Sequence, residues 1–284
     1  MKKLKSYCKI NTFLDVGKII NSQKLHNIKS LIFILNLHDE ILIEKKNMIK
    51  DKISFHGKFK SKIKKKNNSV QKALSLLRQK QYIKDNENFN IKVIKKIPVF
   101  SGLGGGSSNA AAIVKYFVNQ KKISKKEIDF FSKRLGSDFR IFFNSTQIYQ
   151  KNLFDIVNLK KKHKFFFVIV FPFLNSSTKY MYSKFRNLKR IRSRRNYEFF
   201  SKIKVLKNLK KEQNSLQRVV INKYPKIKKI LNALNLLEYC QFSRVTGSGS
   251  ASFGLFLTQR GAELGLKKIK KKFPKYWCVT GKTI

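Results

Sequence analysis

Apolar and β-branched residues crowd Ser6–Leu14 and Ser30–Glu44, a pattern that predicts a pair of strands opening the fold. The lysine run Lys58–Lys66 (KFKSKIKKK) predicts a solvated turn. Beyond it Val70, Ala73, Leu74 and Leu77 fall at i, i+3, i+4 and i+7, the spacing of one helix face. Ile91–Ile97 reads as a strand that Pro98 ends. Ala110, Ile113, Val114 and Phe117 then mark a second helix. A third is introduced by Ser124 and Glu127 in capping-box spacing and carries Ile128, Phe131 and Leu135. In the second half, Lys164–Phe171 predicts a buried strand and Phe173–Thr178 a loop. Ile227, Ile230, Leu231 and Leu234 predict a helix opened by Pro225. Gln241–Val245 and Ala251–Leu257 predict strands around the small-residue loop Thr246–Ser250. Ala262, Leu266, Ile269 and Phe273 predict a last helix before a short C-terminal strand. Arg186–Arg195 holds five of the eleven arginines and shows no clear pattern. A seam near residues 150–160 predicts two α+β halves, 1–155 and 156–284.

Composition adds bounds to this outline. With 42% hydrophobic and 13% aromatic residues, the chain can fill a core rather than remain disordered. Its longest apolar run, Phe165–Pro172, is far too short to cross a bilayer, and no membrane association is expected. The basic N-terminus lacks a long apolar segment and a small-residue cleavage site, so no signal peptide is expected. Cys8, Cys240 and Cys278 are too scattered for a disulfide framework or a zinc spacing, which favours a reducing, cytoplasmic setting. The net charge of +49 raises the alternative of a nucleic-acid binder. However, only 11 of the 64 basic residues are arginine and the lysines spread over the whole chain. That distribution suits compositional drift better than a built phosphate-reading face, so no specific nucleic-acid partner is expected.

The chemistry concentrates in Gly102-Leu103-Gly104-Gly105-Gly106-Ser107-Ser108-Asn109, between the Ile91–Ile97 strand and the Ala110 helix. Four glycines in five positions leave backbone N–H groups unshielded. The unsatisfied amides and positive dipole end of the following helix complete an anion site suited to nucleotide phosphates. Two familiar glycine loops are excluded. Gly106 is followed by Ser107 instead of the lysine of a Walker loop, and the dinucleotide fingerprint needs glycine at 107. Taken alone, Asp138 after Leu135-Gly136-Ser137 reads as a turn residue, Lys9 as surface decoration, and Thr246–Ser250 as a hairpin turn.

Four segments change that reading. Lys95–Ala112 resembles the phosphate loop of the galactokinase, homoserine kinase, mevalonate kinase and phosphomevalonate kinase (GHMP) superfamily. Within it, the chain resembles the family of 4-diphosphocytidyl-2-C-methyl-D-erythritol kinases. Ser6–Leu14 is similar to that family's opening strand, Leu135–Asp138 to its Leu-Gly-Ala-Asp segment, and Val245–Phe253 to its third motif. The resemblance implies an α+β fold of two domains: an N-terminal ATP-binding domain of the ribosomal-protein-like left-handed βαβ type, and a C-terminal α+β domain closing the substrate cleft. It implies ATP and Mg²⁺ as cofactors and a small-molecule substrate, the cytidine diphosphate methylerythritol. The enzyme would act as a monomer or homodimer.

The resemblance also implies roles. Asp138 is the general base, and Lys9 orients it and offsets growing charge. ATP is held by Gly102, Leu103, Gly104, Gly105, Gly106, Ser107, Ser108 and Asn109. Asn68 and Lys95 correspond to positions lining the adenine pocket, and Pro98 belongs with this set. Asn11 and Thr178 lie on the acceptor side, with Gly247, Ser248 and Gly249 supporting the phosphate loop or the acceptor's diphosphate through backbone amides. His26 matches a histidine that contacts the cytosine, and Tyr182 a position that stacks on it, while Leu25 stands where the family has an aromatic ring. Three departures bear on the base: Arg140 in place of proline, no glycine in Asn144–Asn152, and Phe100 in place of a small residue. Two alternatives stand beside this reading, a GHMP kinase acting on homoserine or a mevalonate-type alcohol, and a basic nucleic-acid binder on a kinase-like fold.

Overall fold

A computed structural model of the chain describes residues 1–20, 25–63, 66–118, 123–185 and 201–284, so the Arg186–Arg195 segment lies outside the described residues. In chain order the elements are β1 (Lys2–Asn11), β2 (Asp15–Ile20), β3 (Leu25–Lys46), β4 (Lys52–His56), α1 (Ser69–Gln79), β5 (Asn88–Ile94), α2 (Gly105–Val118) and α3 (Lys125–Leu135). A 3₁₀ turn, Ser137–Phe143, follows. Next come β6 (Gln147–Gln150), β7 (Ile156–Asn158), β8 (Phe166–Phe171), α4 (Thr178–Ser183), α5 (Lys202–Lys211), α6 (Gln217–Lys223) and α7 (Lys226–Asn235). β9 (Phe242–Val245), β10 (Ser252–Phe256), α8 (Gln259–Lys272) and β11 (Trp277–Lys282) complete the fold.

These elements form two compact units. One comprises Met1–Cys8, Leu37–Val99 and Gly104–Asn144; the other comprises Lys9–Asn36, Phe100–Leu103 and Ser145–Ile284. Neither is continuous, because β1 and the 22-residue β3 pass from one to the other. The seam expected near residue 155 falls inside the second unit.

In the first unit the far end of β3 pairs antiparallel with β5, and β5 pairs parallel with β4 across the crossover helix α1. The register sets Ile41 against Val93 and Ile43 against Ile91, all four buried, while Lys92 between them is exposed. That period of two is the mark of a strand with one face in the core. α1 buries Val70, Ala73, Leu74 and Leu77, the predicted face, stabilising by roughly 1.5–3 kcal/mol for each large side chain. The Ser124–Glu127 capping box forms at the start of α3, where Phe131 is the buried aromatic.

In the second unit β8 lies inside a four-stranded sheet of order β11-β8-β10-β9, and all six of its residues are buried. One face, including Val168 and Val170, packs into a core with Ile227, Ile230, Leu231 and Leu234 of α7 and with Ala262 and Ile269 of α8. Toward the other side Phe33 stacks on Phe165, and Phe167 meets Phe253 edge-on. Burial on both faces explains the unbroken apolar run. No helix among the described residues is long and apolar enough to cross a membrane.

Candidate functional site

In the first unit the glycine loop becomes a helix at once. Gly104 takes φ +73°, and Ser108 N donates to Gly104 O at 2.9 Å to close the first turn of α2. Gly106 is exposed, so the loop's main chain is open to a ligand there. A Cβ on Gly105 would lie 3.2 Å from Ile97 Cγ2 and 3.4 Å from Lys95 Nζ. One on Gly106 would lie 3.9 Å from Ser69 Oγ. The loop, the exit of β5 and the start of α1 therefore meet. Asn68 caps α1, its Oδ1 accepting from Val70 N at 3.1 Å and Gln71 N at 3.0 Å. Lys95 is buried, and its ammonium donates to Asp39 and, at 3.1 Å, to Asn109 Oδ1; Pro98 is buried nearby in sequence.

The Asp138 segment reaches the same place. Gly136, at φ +113°, ends α3, and a Cβ there would sit 3.6 Å from Ser107 Oγ. Asp138 stands two residues on, in the first turn of the 3₁₀ segment, half-buried. Phe139 anchors that turn, fully buried against Phe131 and Phe143. Arg140 fixes it differently from a proline: its guanidinium donates to Ser132 Oγ at 3.2 Å and pairs with Asp129 at 3.4 Å. Burial lowers the Arg140 pKa, and Asp129 partly restores it.

The second unit gathers the remaining residues. Lys9 is buried, donating to Asn11 Oδ1 at 2.5 Å; Asn11 in turn donates to Ser30 Oγ at 2.8 Å and, through its backbone, to Thr246 Oγ1 at 2.9 Å. Lys9 N donates to Leu103 O at 3.0 Å. Gly102, at φ +84°, approaches so closely that a Cβ would fall 2.3 Å from Thr246 O. Opening strand, loop entry and third motif are thus in contact. Phe100 adopts φ 56°, in the left-handed region that a bulky residue rarely takes. Thr178 Oγ1 lies 2.9 Å from Ser248 Oγ, and Gly249 N donates to Thr246 O at 2.9 Å.

His26 and Tyr182 also come together, with ring centroids 5.4 Å apart. His26 Nδ1 lies 2.9 Å from Gly17 O. A carbonyl only accepts, so Nδ1 donates there and Nε2 is the ring nitrogen left to meet a ligand. Sequence reasoning missed three residues. Phe185 adds a second ring 6.1 Å from His26. Asn214 donates to Val245 O at 2.7 Å and to Gly247 O at 2.8 Å, holding the third motif from below. Asp39 is the buried partner of Lys95. Phe185 had a signal, its place three residues after Tyr182 at helical spacing.

Comparison with known proteins agrees with this assembly. The family described as "GHMP kinases N terminal domain" matches residues 68–140, and "GHMP kinases C terminal" matches 199–275. The 4-diphosphocytidyl-2-C-methyl-D-erythritol kinase of Pelagibacter ubique (strain HTCC1062) is 38% identical over 285 residues, 99% of each chain. The kinase of the same name from Anaplasma phagocytophilum (strain HZ) is 30% identical over 220 residues, 76% of this chain and 73% of that one. Among solved structures, a 4-(cytidine 5'-diphospho)-2C-methyl-D-erythritol kinase superposes with TM-score 0.74 at 20% identity, covering 99% of both chains. The mevalonate kinase of L. major with R-mevalonate superposes with TM-score 0.68 at 12% identity, covering 100% of this chain and 96% of that one. These two structural likenesses establish the α+β GHMP-kinase fold. With sequence kinship running the length of the chain, it belongs to the 4-diphosphocytidyl-2-C-methyl-D-erythritol kinase family of the GHMP kinases.

Proposed function

We propose that this chain transfers the γ-phosphoryl group of ATP to the 2-hydroxyl of 4-diphosphocytidyl-2-C-methyl-D-erythritol, a step toward isoprenoid precursors by the non-mevalonate route. Kinship with kinases of that name supports the substrate. The observation that carries the chemistry is the approach of Gly136 to Ser107, which sets the Asp138 turn beside the phosphate loop within one unit.

The amides of residues 104–107, at the N-terminal end of α2, hold the phosphates. The Asp138 carboxylate takes the proton of the acceptor hydroxyl as its oxygen bonds to the γ-phosphorus and the bond to the β-phosphate oxygen breaks, releasing ADP. Lys9 offsets the charge that develops, and Asn11, which orients the Lys9 ammonium, holds the acceptor. His26 and Tyr182 take the cytosine, with Nε2 of His26 facing an amino group as acceptor. Residues 1–155 provide the nucleotide domain, and 156–284 complete the acceptor side. Mg²⁺ is usually carried largely by substrate phosphates. The Ser107 hydroxyl beside the loop is a hard oxygen donor that would help hold it, and an ion there would neutralise phosphate charge, leaving the Asp138 carboxylate to act as the base.

Purified protein should release ADP only when the cytidyl alcohol is present. Asp138→Asn should cut turnover by at least about 10²-fold while ATP binding persists. An Asn variant with full activity would show that Asp138 is not the base.

A further inference from the structure

Asp39 lies at the centre of a buried polar knot beneath the glycine loop, and its carboxylate is fully enclosed. Oδ1 accepts from Lys96 N at 2.7 Å and Ile97 N at 2.8 Å. Oδ2 accepts from the Lys95 ammonium and from Asn109 Nδ2 at 3.0 Å. Asn109 Nδ2 also donates to Ser6 Oγ at 2.8 Å. Ser6 Oγ donates to Ser108 Oγ at 2.7 Å, which donates to Tyr7 O at 2.6 Å. A single carboxylate thus ties the segment before the loop, Lys95–Ile97, to the first turn after it, while Ser6 ties that turn to β1.

We propose that Asp39 is the positioning residue of the nucleotide site. It holds the exit of β5 and the start of α2 at a fixed separation, so that the amides between them are already arranged when phosphate arrives. Lys95 contributes its ammonium to this carboxylate, not to a phosphate oxygen. A buried ion pair is a poor source of net stability, because desolvating both charges offsets their attraction. Its geometric effect is another matter. Asp39 engages four donors from two segments, and Gly105 packs against Ile97 and the Lys95 ammonium that it orients. The inference rests on the reading that ATP binds this loop.

Asp39→Asn conserves volume and the two backbone contacts, but it turns an N–H group toward the Lys95 ammonium and the Asn109 amide, so donors meet donors. Ser6→Ala cuts the same knot without touching a charge and decides the matter if the first variant does not fold. The test measures ATP dissociation constants by calorimetry together with steady-state constants for both substrates. Asp39→Asn should weaken ATP binding about tenfold and Ser6→Ala at least threefold, with KM for the cytidyl alcohol within twofold of the wild type in each. A folded Asp39→Asn protein, or failing that Ser6→Ala, that binds ATP within threefold of the wild type would overturn the proposal. So would an acceptor KM that rises in step with that for ATP, since that pattern means general loosening. Wild-type protein that binds no ATP would instead remove the loop assignment, and this inference with it.

Discussion

Gly247→Ala tests whether the position of the Lys9 ammonium matters to the reaction. Gly247 has φ +56°, the left-handed region that costs a residue with a Cβ about 1–2 kcal/mol. An added Cβ would also lie 3.2 Å from Asn11 Oδ1, 3.3 Å from Lys9 Nζ and 3.3 Å from Gly102 O. The Gly102 carbonyl cannot retreat readily, because its own Cα already abuts Thr246 O. The side chains of Lys9 and Asn11 must therefore yield by a few tenths of an ångström. The backbone term alone lowers Tm by about 2–8 °C at roughly 2–4 °C per kcal/mol. A shift of 1 Å in a reacting group can cost about 10²-fold, so a few tenths should lower kcat roughly 3–10-fold while KM for ATP stays put. ADP release in a coupled assay gives kcat, and a thermal melt gives Tm. Gly265→Ala serves as the comparison: its Cβ would meet Phe256 Cζ at 3.0 Å and Leu237 Cδ1 at 3.1 Å, with no site residue among its neighbours, so Tm should fall without a change in kcat. If Gly247→Ala also lowers Tm and leaves kcat alone, Lys9 does not work through its present placement.

Two further predictions concern stability. Ser252 is fully buried in β10 and its hydroxyl has no hydrogen-bond partner among the described residues, so Ser252→Ala should gain about 1 kcal/mol, read as a Tm rise of about 2–4 °C. A fall in Tm would mean that the hydroxyl is satisfied in solution. Lys115 on α2 has its pKa lowered from the ordinary 10.5 by burial. The folded protein therefore binds that proton less readily than the unfolded one, and stability rises with pH from the lowered value up to 10.5. Lys115→Met should melt above the wild type at pH 7, and the gap should close as pH climbs through that window. A gap independent of pH would refute the burial argument.

Much of the fold could be read because its faces are periodic. α1, α7 and β8 bury the residues the spacing picked out, since in each the apolar pattern answers to one packed surface or to two. α5 escaped notice because only Val205 and Leu209 are buried in a helix of sequence KIKVLKNLKK, and its lysines blur the stripe. β4 escaped because KISFH is five residues long and is made a strand by parallel pairing with β5, a contact no local pattern announces. The expected division near residue 155 follows the order of the chain. The compact units do not, because strands as long as β3 serve both.

The site divides along the same line. Segments whose chemistry is local, such as the glycine loop and the capped start of α3, could be recognised from a few neighbouring residues. Asn214 could not, because its acceptors lie 31 and 33 residues away. Asp39 is the instructive case. Asp39, Ile41 and Ile43 are all buried and fall at i, i+2 and i+4 on one strand face, so alternation alone places a carboxylate on the core side. A buried charge there must find partners or neutralise, which by itself makes Asp39 a residue worth pursuing. Nothing local names the partner, since one lysine among 53 carries no distinction in the sequence. In a chain this basic, the fifteen acidic residues are the informative ions. Each acid on an apolar face selects, through burial, the few lysines that cannot be surface charge, and Lys95 is selected in this way.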